Sequence, residues 1–479
     1  MYDIIIIGAG VNGACIARNL SKYQLNVLVI EKNGDVGDGT SCANSAIIHA
    51  GYDPHPGTLK AELNVLGNQM YDELCKDLDV EFERNGALTI ATNEEEMQGL
   101  YHLLENAKAN NVKVELIDKE KLFELEPHVT KKAIGALYAP TSGIINPFEL
   151  CVALMENAMD NGVQLNLNEK VIEVISENNT YLVKTDCGEY KCKMVINCAG
   201  LFGDEIQNFV CDEKVEILPR KGEYYLLDHF VDGFVKHTLF SVPSSKGKGV
   251  LVSPTTSGDY LVGPSSDFIE DKEDISTNKD VLDNVLKEAY RLVDNVPMQH
   301  LIREFAGIRA YHKSNDFIIN EPTAGFINVI GMQSPGLSSA PAVALKVENM
   351  IMKNLELKIR DNYIKTRRPL YRLKNKSIEE RDKLIKENPL LGRIICRCEQ
   401  ISEGEIVDAI HRNCGARTIK GVKKRVRPGY GKCQGGYCQT LVLKILAREL
   451  NKDMKDINFK NKGSYILCEE SKGEKNVKL

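Results

Sequence analysis

The sequence predicts an α/β fold with a part that begins with a β-α-β unit, a part built on an antiparallel sheet, and a small helical module. Three observations support this prediction. Residues 3–32 follow the order strand, glycine turn, helix, strand. Residues 214–262 alternate polar and apolar side chains, which is typical of an antiparallel sheet. A compact module, in which four cysteines form two closely spaced pairs, follows a charged stretch that ends near residue 390. The chain has 479 residues, and at about 150 residues per domain its length allows about three domains.

The composition is that of a globular protein. Hydrophobic residues make up 43% of the chain and charged residues 27%, which argues against disorder, collagen and a coiled-coil rod. The formal net charge is −6, so bulk charge does not indicate a nucleic-acid-binding protein, and we expect no nucleic-acid partner.

The N-terminal residues MYDIIIIGAG have no cationic start and turn at a glycine by residue 8. They therefore predict a buried strand rather than a signal or transit peptide. No apolar run approaches the ~20 residues that span a bilayer, so we expect no direct membrane insertion. We expect a cytoplasmic protein, with peripheral membrane attachment through a partner subunit left open. The 14 cysteines are then expected to be reduced thiols or metal ligands.

The first β-α-β unit carries the fingerprint Gly8, Gly10, Gly13 with Glu31 at the end of its second strand. Gly8 permits the tight turn, Gly10 lets the backbone approach a pyrophosphate, and Gly13 lets the helix pack close to the strand. Glu31 can accept hydrogen bonds from ribose hydroxyls. The pattern predicts a Rossmann-like dinucleotide site, and the alternative is an ordinary tight βα turn.

The later segments of the chain indicate which dinucleotide is bound. Two further glycine-bearing strand ends, NCAGLFGDEI near 200 and GMQSPGLSSAP near 335, can return to the same crevice. Together with TSCANSAIIHAGYDPHPGTLKAELNVLGNQMYDEL at 40–74 and FAGIRAYHKSNDFIINE at 305–321, they resemble the D-amino-acid oxidase-like flavoprotein superfamily. The resemblance covers about residues 1–350. It is nearest to the large subunit of anaerobic glycerol-3-phosphate dehydrogenases and to L-2-hydroxyglutarate dehydrogenases.

This resemblance implies FAD as the cofactor and an antiparallel-sheet substrate domain beside the Rossmann-like domain. The residues expected to bind the cofactor are Gly8, Gly10, Gly13, Glu31, Lys32, Thr40, Ser41, Ser45, Val171, Ala199, Gly200, Asp204, Gly331, Gly336 and Leu337.

The expected division of the chain has four parts. Residues 1–355 form the oxidoreductase part, with FAD-binding segments at about 1–75, 145–210 and 300–355 and a substrate domain at about 76–144 and 211–299. Residues 356–391 are expected to be a linker, 392–450 the cysteine module and 451–479 a tail. In the module, Ser402 and Glu405 match a capping box, and Gly415 is placed to end the helix that they open.

We find no second GxGxxG unit and hence no evident NAD(P)H site, so an organic substrate is expected to reduce the flavin. His49 is the candidate base, since a neutral imidazole accepts a proton near pH 7, and the alternative is a histidine hydrogen-bonded beside the cofactor. Arg309 is the candidate clamp for a substrate carboxylate or phosphate, and its alternative is a surface ion pair. Lys221 and Tyr224 are weaker candidates to face the substrate. His312 and Lys313 are similarly placed or are loop residues.

The four cysteines of the module are Cys396, Cys398, Cys433 and Cys438. Thiolates bind iron-sulfur clusters or zinc, but a C-x-C pair is tighter than the usual zinc spacing. The module resembles the bacterioferritin-associated-ferredoxin-like [2Fe-2S] domain, which implies that these thiolates bind the cluster. Eight basic residues and no acid lie between 412 and 432. They are interpreted as stabilising the cluster, docking an acidic redox partner or forming a solvated basic face.

The resemblance therefore predicts a dehydrogenase that oxidises sn-glycerol 3-phosphate to dihydroxyacetone phosphate, with hydride passing to flavin N5. Electrons would then leave through or near the cluster, towards further redox subunits and indirectly a membrane quinone. The alternatives are oxidation of L-2-hydroxyglutarate or another 2-hydroxy or amino acid, and a non-catalytic electron-relay subunit. A structural zinc site with O2 as acceptor is a third possibility.

Overall fold

In the part of the chain that the structure describes, the strands form four sheets. The structure is a computed structural model that describes residues 1–229, 233–243 and 249–469. The strands are β1 (Tyr2–Ile7), β2 (Val27–Ile30), β3 (Ile47–Ile48), β4 (Phe82–Glu83), β5 (Ala87–Ala91), β6 (Glu115–Asp118), β7 (Gly135–Ala139), β8 (Gly143–Ile145), β9 (Gln164–Asn166), β10 (Val171–Glu177), β11 (Thr180–Thr185), β12 (Glu189–Asn197), β13 (Leu218–Leu227), β14 (Thr238–Ser241), β15 (Leu251–Pro254), β16 (Tyr260–Gly263), β17 (Asp267–Phe268), β18 (Leu301–Tyr311), β19 (Ile318–Thr323), β20 (Phe326–Ile330), β21 (Ile394–Cys396) and β22 (Ile401–Ser402).

Helices connect and cover these sheets. They are α1 (Val11–Ser21), α2 (Leu59–Leu78), α3 (Glu94–Ala109), α4 (Lys119–Leu125), α5 (Pro147–Asp160), α6 (Gly203–Val210), α7 (Lys279–Ala289), α8 (Gly336–Ile351), α9 (Ile378–Glu387), α10 (Glu403–His411), α11 (Ile419–Val426) and α12 (Gln439–Leu450). Within the described ranges, no helix has the length and apolarity that crossing a bilayer requires.

The first sheet has the predicted Rossmann-like centre. Strand β1 lies between β2 and β12 and is parallel to both, with Ile6 opposite Val29 on one side and Ile196 on the other. These strands are continuous apolar runs because both faces of the sheet are covered. Helices α1, α2, α5 and α8 contribute to the core on one face. The parallel strands β1, β2, β12 and β20 therefore present their carboxyl ends at one edge, where cofactors bind in open α/β sheets.

The second sheet is largely antiparallel, as predicted for the substrate domain, and in the described part of the chain it runs β17-β13-β16-β15-β14-β5-β7-β6 with β18 paired to β13. Strand β18 is a correction, because the sequence places residues 300–311 with the cofactor-binding segments. It pairs with β13 along ten register positions from Leu218↔Tyr311 to Leu227↔Leu301, so it belongs to the second sheet. The observed fold thus has the Rossmann-like sheet and the largely antiparallel second sheet that the sequence predicts.

The C-terminal module is α-rich, with α10, α11 and α12 packed around a core of its own. The capping box is present, because Ser402 Oγ accepts from Glu405 N and the Glu405 carboxylate accepts from Ser402 N. Helix α10, however, ends at His411 and not at Gly415. Arg412 turns into an extended conformation. Gly415 instead passes the last helical turn so closely that a Cβ on it would lie 2.1 Å from Ile410 O.

The expected linker at 356–391 contains α9 and makes hydrogen bonds to the oxidoreductase part. Arg360 N donates to Lys22 O at 2.8 Å, and Arg367 Nε donates to Glu156 Oε2 at 2.9 Å. Arg367 is 4% exposed, so its charge is buried against α5. The basic composition that suggests a linker thus provides ion pairs to the oxidoreductase part. Part of the expected tail also packs, since Ile457 joins the module's core, while residues 470–479 of that tail lie outside the described residues.

The basic segment 412–432 differs at four of its residues from two of the three interpretations, the solvated basic face and the docking of an acidic redox partner. Arg412, Lys424 and Arg425 are buried and Arg427 is largely so, and they form ion pairs with Glu156, with Asp35 and Asp38, and with Asp259. Because all four acids belong to the oxidoreductase part, these cations attach the module to it. They are neither a solvated face nor free to dock another protein.

Candidate functional site

A cavity of about 1220 Å³ lies at the carboxyl edge of the first sheet and extends under the second sheet. Its walls include the first glycine turn, the end of β2 and the segment 39–49 on one side. On the other side they include Tyr224 of β13 and Arg309 of β18. One continuous space therefore joins the predicted dinucleotide site to the predicted substrate residues.

The glycine turn requires its glycines sterically. Gly8 has φ +103°, and a Cβ on it would lie 2.4 Å from Cys198 O. A Cβ on Gly13 would lie 2.0 Å from Gly8 O, so α1 can approach β1 only with glycine there. Gly13 thus packs behind the turn, as the fingerprint implies, and does not line the cavity.

The N-terminus of α1 faces the cavity and suits a pyrophosphate. Gly10 is the N-cap residue and supplies no side chain, while Val11 N donates to Ser41 Oγ at 2.9 Å. Asn12 also lines the cavity, and its Oδ1 is buried with no hydrogen-bond partner among the described residues. Backbone amides at a helix start bind anions, so this cradle fits the diphosphate of FAD.

Glu31 lies at the end of β2, where the fingerprint predicts the ribose contact. Its Oε2 accepts from Ala9 N at 2.9 Å and its Oε1 from Asn33 N at 2.9 Å. Burial raises the pKa of Glu31, and the hydrogen bonds from Ala9 and Asn33 oppose that rise. The neighbouring Lys32 lines the cavity, with Nζ 3.6 Å from the centroid of the Phe202 ring.

Most of the other predicted cofactor residues line the same cavity. These are Thr40, Ser41, Ser45, Val171, Ala199, Gly200, Gly336 and Leu337. Asp204 and Gly331 do not. The Asp204 carboxylate accepts from Lys272 Nζ at 2.8 Å and from Ile217 N at 2.9 Å, and Asp204 is not among the residues that line the cavity. Gly331 ends β20 with φ +68° and makes the turn just before the lining residues 332–338.

His49 lies on the cavity wall just after β3, and its main chain is held on both sides. Its N–H donates to Ser338 Oγ at 2.8 Å, and its carbonyl accepts from Asn64 Nδ2 at 2.7 Å. The imidazole packs on Phe240 at a centroid distance of 5.7 Å, and its Nε2 is 3.5 Å from Ser334 Oγ. These contacts fix the position of the main chain and the orientation of the imidazole ring. A group that accepts a proton from a bound substrate must be held in this way.

Arg309 also lines the cavity, and it is not a surface ion pair. Its NH2 donates to Ser265 O at 2.7 Å, and a Cβ on Gly222 would lie 2.8 Å from that nitrogen. Arg220 is its register partner on β13 and lines the same cavity. Burial lowers the pKa of Arg309, and the charge of Arg220 lowers it further, although Tyr224 acts in the opposite direction. Two adjacent guanidinium groups repel each other less when an anion lies between them.

Strand alternation explains why Lys221 does not line the cavity, whereas Arg220, which the sequence analysis did not single out, does. On β13, Arg220 and Tyr224 face the cavity, whereas Lys221 points the other way and donates to Asp274 Oδ2 at 2.9 Å. The two-residue period of a strand, applied to PRKGEYYLL, would have separated Lys221 from Tyr224.

Tyr224 and the loop after β18 complete the comparison with the sequence predictions. The Tyr224 hydroxyl is 3.1 Å from Ser45 Oγ, and its ring stacks on Phe305 at 4.7 Å. His312 and Lys313 are loop residues, and His312 Nδ1 lies 2.8 Å from Ser314 Oγ. Lys60 lines the cavity from the first turn of α2, although the sequence did not single it out.

The four cysteine thiols of the module approach one another as two pairs. Cys398 Sγ lies 3.9 Å from Cys433 Sγ, and Cys396 and Cys438 share a hydrogen bond. That hydrogen bond lowers the pKa of Cys396 and raises that of Cys438, while the backbone amide of Tyr437 lowers the pKa of Cys433. Two thiol pairs with amides directed at sulfur suit two irons with two thiolates each.

The comparisons with known proteins agree with both sites. The family model "FAD dependent oxidoreductase" matches residues 3–350, and the model "BFD-like [2Fe-2S] binding domain" matches residues 394–448. A glycerol 3-phosphate dehydrogenase from Caloramator mitchellensis is 48% identical over 479 residues, which cover 99% of this chain and all of that protein.

Two further relatives share the oxidoreductase part. The structure of dithionite-reduced L-α-glycerophosphate oxidase from Mycoplasma pneumoniae with FAD bound is similar at a TM-score of 0.73 and 32% identity, covering 76% of this chain and 98% of that one. A mitochondrial L-2-hydroxyglutarate dehydrogenase from Caenorhabditis elegans is 28% identical over 411 residues, which cover 74% of this chain and 94% of that protein. The chain belongs to the FAD dependent oxidoreductase family, binds FAD, and carries a [2Fe-2S] cluster in a BFD-like domain.

Proposed function

We propose that this chain oxidises sn-glycerol 3-phosphate to dihydroxyacetone phosphate and passes the electrons on through its [2Fe-2S] cluster. The observation that carries the proposal is the continuous cavity, which joins the dinucleotide cradle to His49 and to the Arg220–Arg309 pair. A cationic pair beside a candidate base suits a substrate with an anionic group near the hydroxyl that is oxidised. The relatives named above as glycerol 3-phosphate enzymes support this choice of substrate.

In this proposal the residues of the chain bind the anion and accept the proton. Arg309, with Arg220 beside it, holds the phosphate, and His49 takes the proton of the hydroxyl whose carbon is oxidised. Bound FAD supplies the hydride acceptor, its N5 atom, so that the alcohol loses one hydride and one proton in total. Burial raises the pKa of Tyr224, which therefore stays protonated and can donate its hydroxyl hydrogen within the cavity.

Anaerobic addition of sn-glycerol 3-phosphate to the purified protein is expected to bleach the visible absorption band of oxidised FAD. Glycerol is the matched control, because it has the hydroxyls but no phosphate for Arg309, and it should leave the band unchanged. Bleaching by L-2-hydroxyglutarate and not by glycerol 3-phosphate would establish the alternative substrate. Failure with a broad panel of 2-hydroxy and amino acids would favour an electron-relay subunit.

The cluster is proposed to connect the flavin to a further redox subunit, and through it indirectly to a membrane quinone. Cys396 and Cys438 are buried, whereas Cys398 and Cys433 are exposed. The thiol pair Cys398–Cys433 therefore marks the edge of the module that another protein can approach.

Replacing Cys398 with serine is expected to remove the cluster and leave FAD bound, because one thiolate ligand is lost and Cys398 does not line the cavity. In the unchanged protein, substrate should produce the electron paramagnetic resonance signal of a reduced [2Fe-2S] cluster. In the variant, substrate should bleach the flavin without that signal. Cys187→Ser is the control, since Cys187 is an exposed thiol outside the module. A cluster that stays oxidised in the unchanged protein after the flavin is bleached would contradict the proposed route.

A further inference from the structure

We propose that Lys424 and Arg425 of α11 are positioning residues for FAD, because they hold the segment 35–41 from the side opposite the cofactor. The iron-sulfur module then forms part of the flavin site as well as holding its own cluster. This inference concerns the binding of FAD and does not depend on which substrate the enzyme oxidises.

The contact is a network of four charged side chains. Arg425 donates to both oxygens of Asp35, from NH1 to Oδ2 at 2.7 Å and from NH2 to Oδ1 at 2.9 Å. Lys424 Nζ donates to Asp38 Oδ1 at 3.0 Å and to Val36 O at 2.9 Å. The bidentate contact between Arg425 and Asp35 fixes the relative orientation of the two side chains as well as the distance between them.

The module is shaped to hold Arg425 in this position. Its guanidinium also donates to Cys414 O, from Nε at 2.9 Å, and to Gly421 O at 2.9 Å. A Cβ on Gly421 would lie 3.2 Å from Asp35 Oδ2, so glycine allows α11 to approach the acidic segment closely. The arginine is thus held by its own module before it meets Asp35.

The network is buried, which makes each partner dependent on the others. The exposed fractions of Asp35, Lys424 and Arg425 are 4%, 7% and 5%. Burial would raise the pKa of Asp35, but the charges of Arg425 and Lys424 outweigh it and hold that pKa below its usual range. Removing the two cations would leave a buried carboxylate without a counter-charge, which is strongly destabilising.

The same segment contacts the cofactor site on its other side. Gly37 N donates to Ala9 O, in the glycine turn, at 2.9 Å. Ser41 Oγ accepts from Val11 N at the start of α1, and Gly39, Thr40 and Ser41 line the cavity. A shift of Asp35 or Asp38 therefore moves atoms that contact the diphosphate cradle.

The test uses the full chain with Lys424→Ala and Arg425→Ala together. We expect the dissociation constant for FAD to rise by about tenfold or more. A tenfold rise corresponds to a loss of ~1.4 kcal/mol of binding free energy. Titration of the deflavinated protein, followed by flavin fluorescence, measures this constant. Backbone hydrogen exchange should also become faster in residues 35–41, while iron and acid-labile sulfide stay at their unchanged content.

Arg412→Ala is the matched control. Arg412 is also buried, and it also crosses between the module and the oxidoreductase part, with NH1 2.8 Å from Glu156 Oε1. The Arg412→Ala variant should have a lower melting temperature but an unchanged dissociation constant for FAD, because Glu156 lies on α5 and does not line the cavity. Equal effects of the two changes on FAD binding, or no effect of the double variant, would overturn the proposal. If the double variant does not fold, Lys424→Gln alone must still weaken FAD binding, and an unchanged constant overturns the proposal equally.

Discussion

Replacing His49 with asparagine is expected to lower kcat by about 10²- to 10⁴-fold, the range that a positioned general base contributes. Asparagine keeps a polar side chain near Ser334 but cannot accept the hydroxyl proton. The main-chain contacts of His49 with Ser338 and Asn64 do not involve the imidazole, so the fold of the segment should persist. Stopped-flow measurement of anaerobic flavin reduction gives the rate of the affected step directly.

His312→Asn is the control for this experiment. His312 is a loop histidine close in sequence to Arg309, it is not among the residues that line the cavity, and its Nδ1 lies 2.8 Å from Ser314 Oγ. The control should reduce flavin at the unchanged rate. If His49→Asn did the same with FAD fully bound, His49 would be a histidine that only packs beside the cofactor.

Replacing Arg309 with lysine is expected to raise KM by about 10- to 100-fold, which corresponds to the ~1.5–3 kcal/mol of a hydrogen bond to a charged group. Lysine keeps the positive charge but loses the planar fork that grips an anion with two parallel hydrogen bonds. It also loses the hydrogen bond from Arg309 NH2 to Ser265 O, which orients the group over Gly222. Steady-state kinetics with glycerol 3-phosphate measures the change.

Arg303→Lys is the matched control, because Arg303 lies on the same strand, is exposed and does not line the cavity. Its KM should be unchanged. A KM for Arg309→Lys equal to that of the control would place the substrate anion elsewhere in the cavity. The FAD constant of both variants should match that of the unchanged protein, which separates substrate binding from cofactor binding.

The choice between Arg220 and Lys221 shows what a local pattern can and cannot decide. Strand alternation puts residues 220, 222 and 224 on one face and 221 on the other, and this follows from the backbone alone. Which face meets the cavity depends on the pairing of β13 with β18, which brings Arg220 opposite Arg309. The sequence indicated the motif, and the sheet register selected the side chain.

Asp204 illustrates the same limit at the cofactor site. Asp204 lies in the segment NCAGLFGDEI at a strand end, and it was therefore predicted to bind the cofactor. In the structure Lys272, 68 residues further along the chain, binds its carboxylate, and Asp204 does not line the cavity. A motif indicates where the backbone runs, but long-range partners decide where a polar side chain points.

The sequence by itself determined the β-α-β start, the glycine turn, the antiparallel second part and the four cysteines of the module. These depend on periodicity, on steric limits and on spacing, all of which act over a few neighbouring residues. Only the tertiary structure decided that Arg425 meets Asp35, 390 positions away, and that the basic segment attaches the module to the flavin site. Buried charges need counter-charges, and which acid supplies one is decided by packing rather than by nearness along the chain.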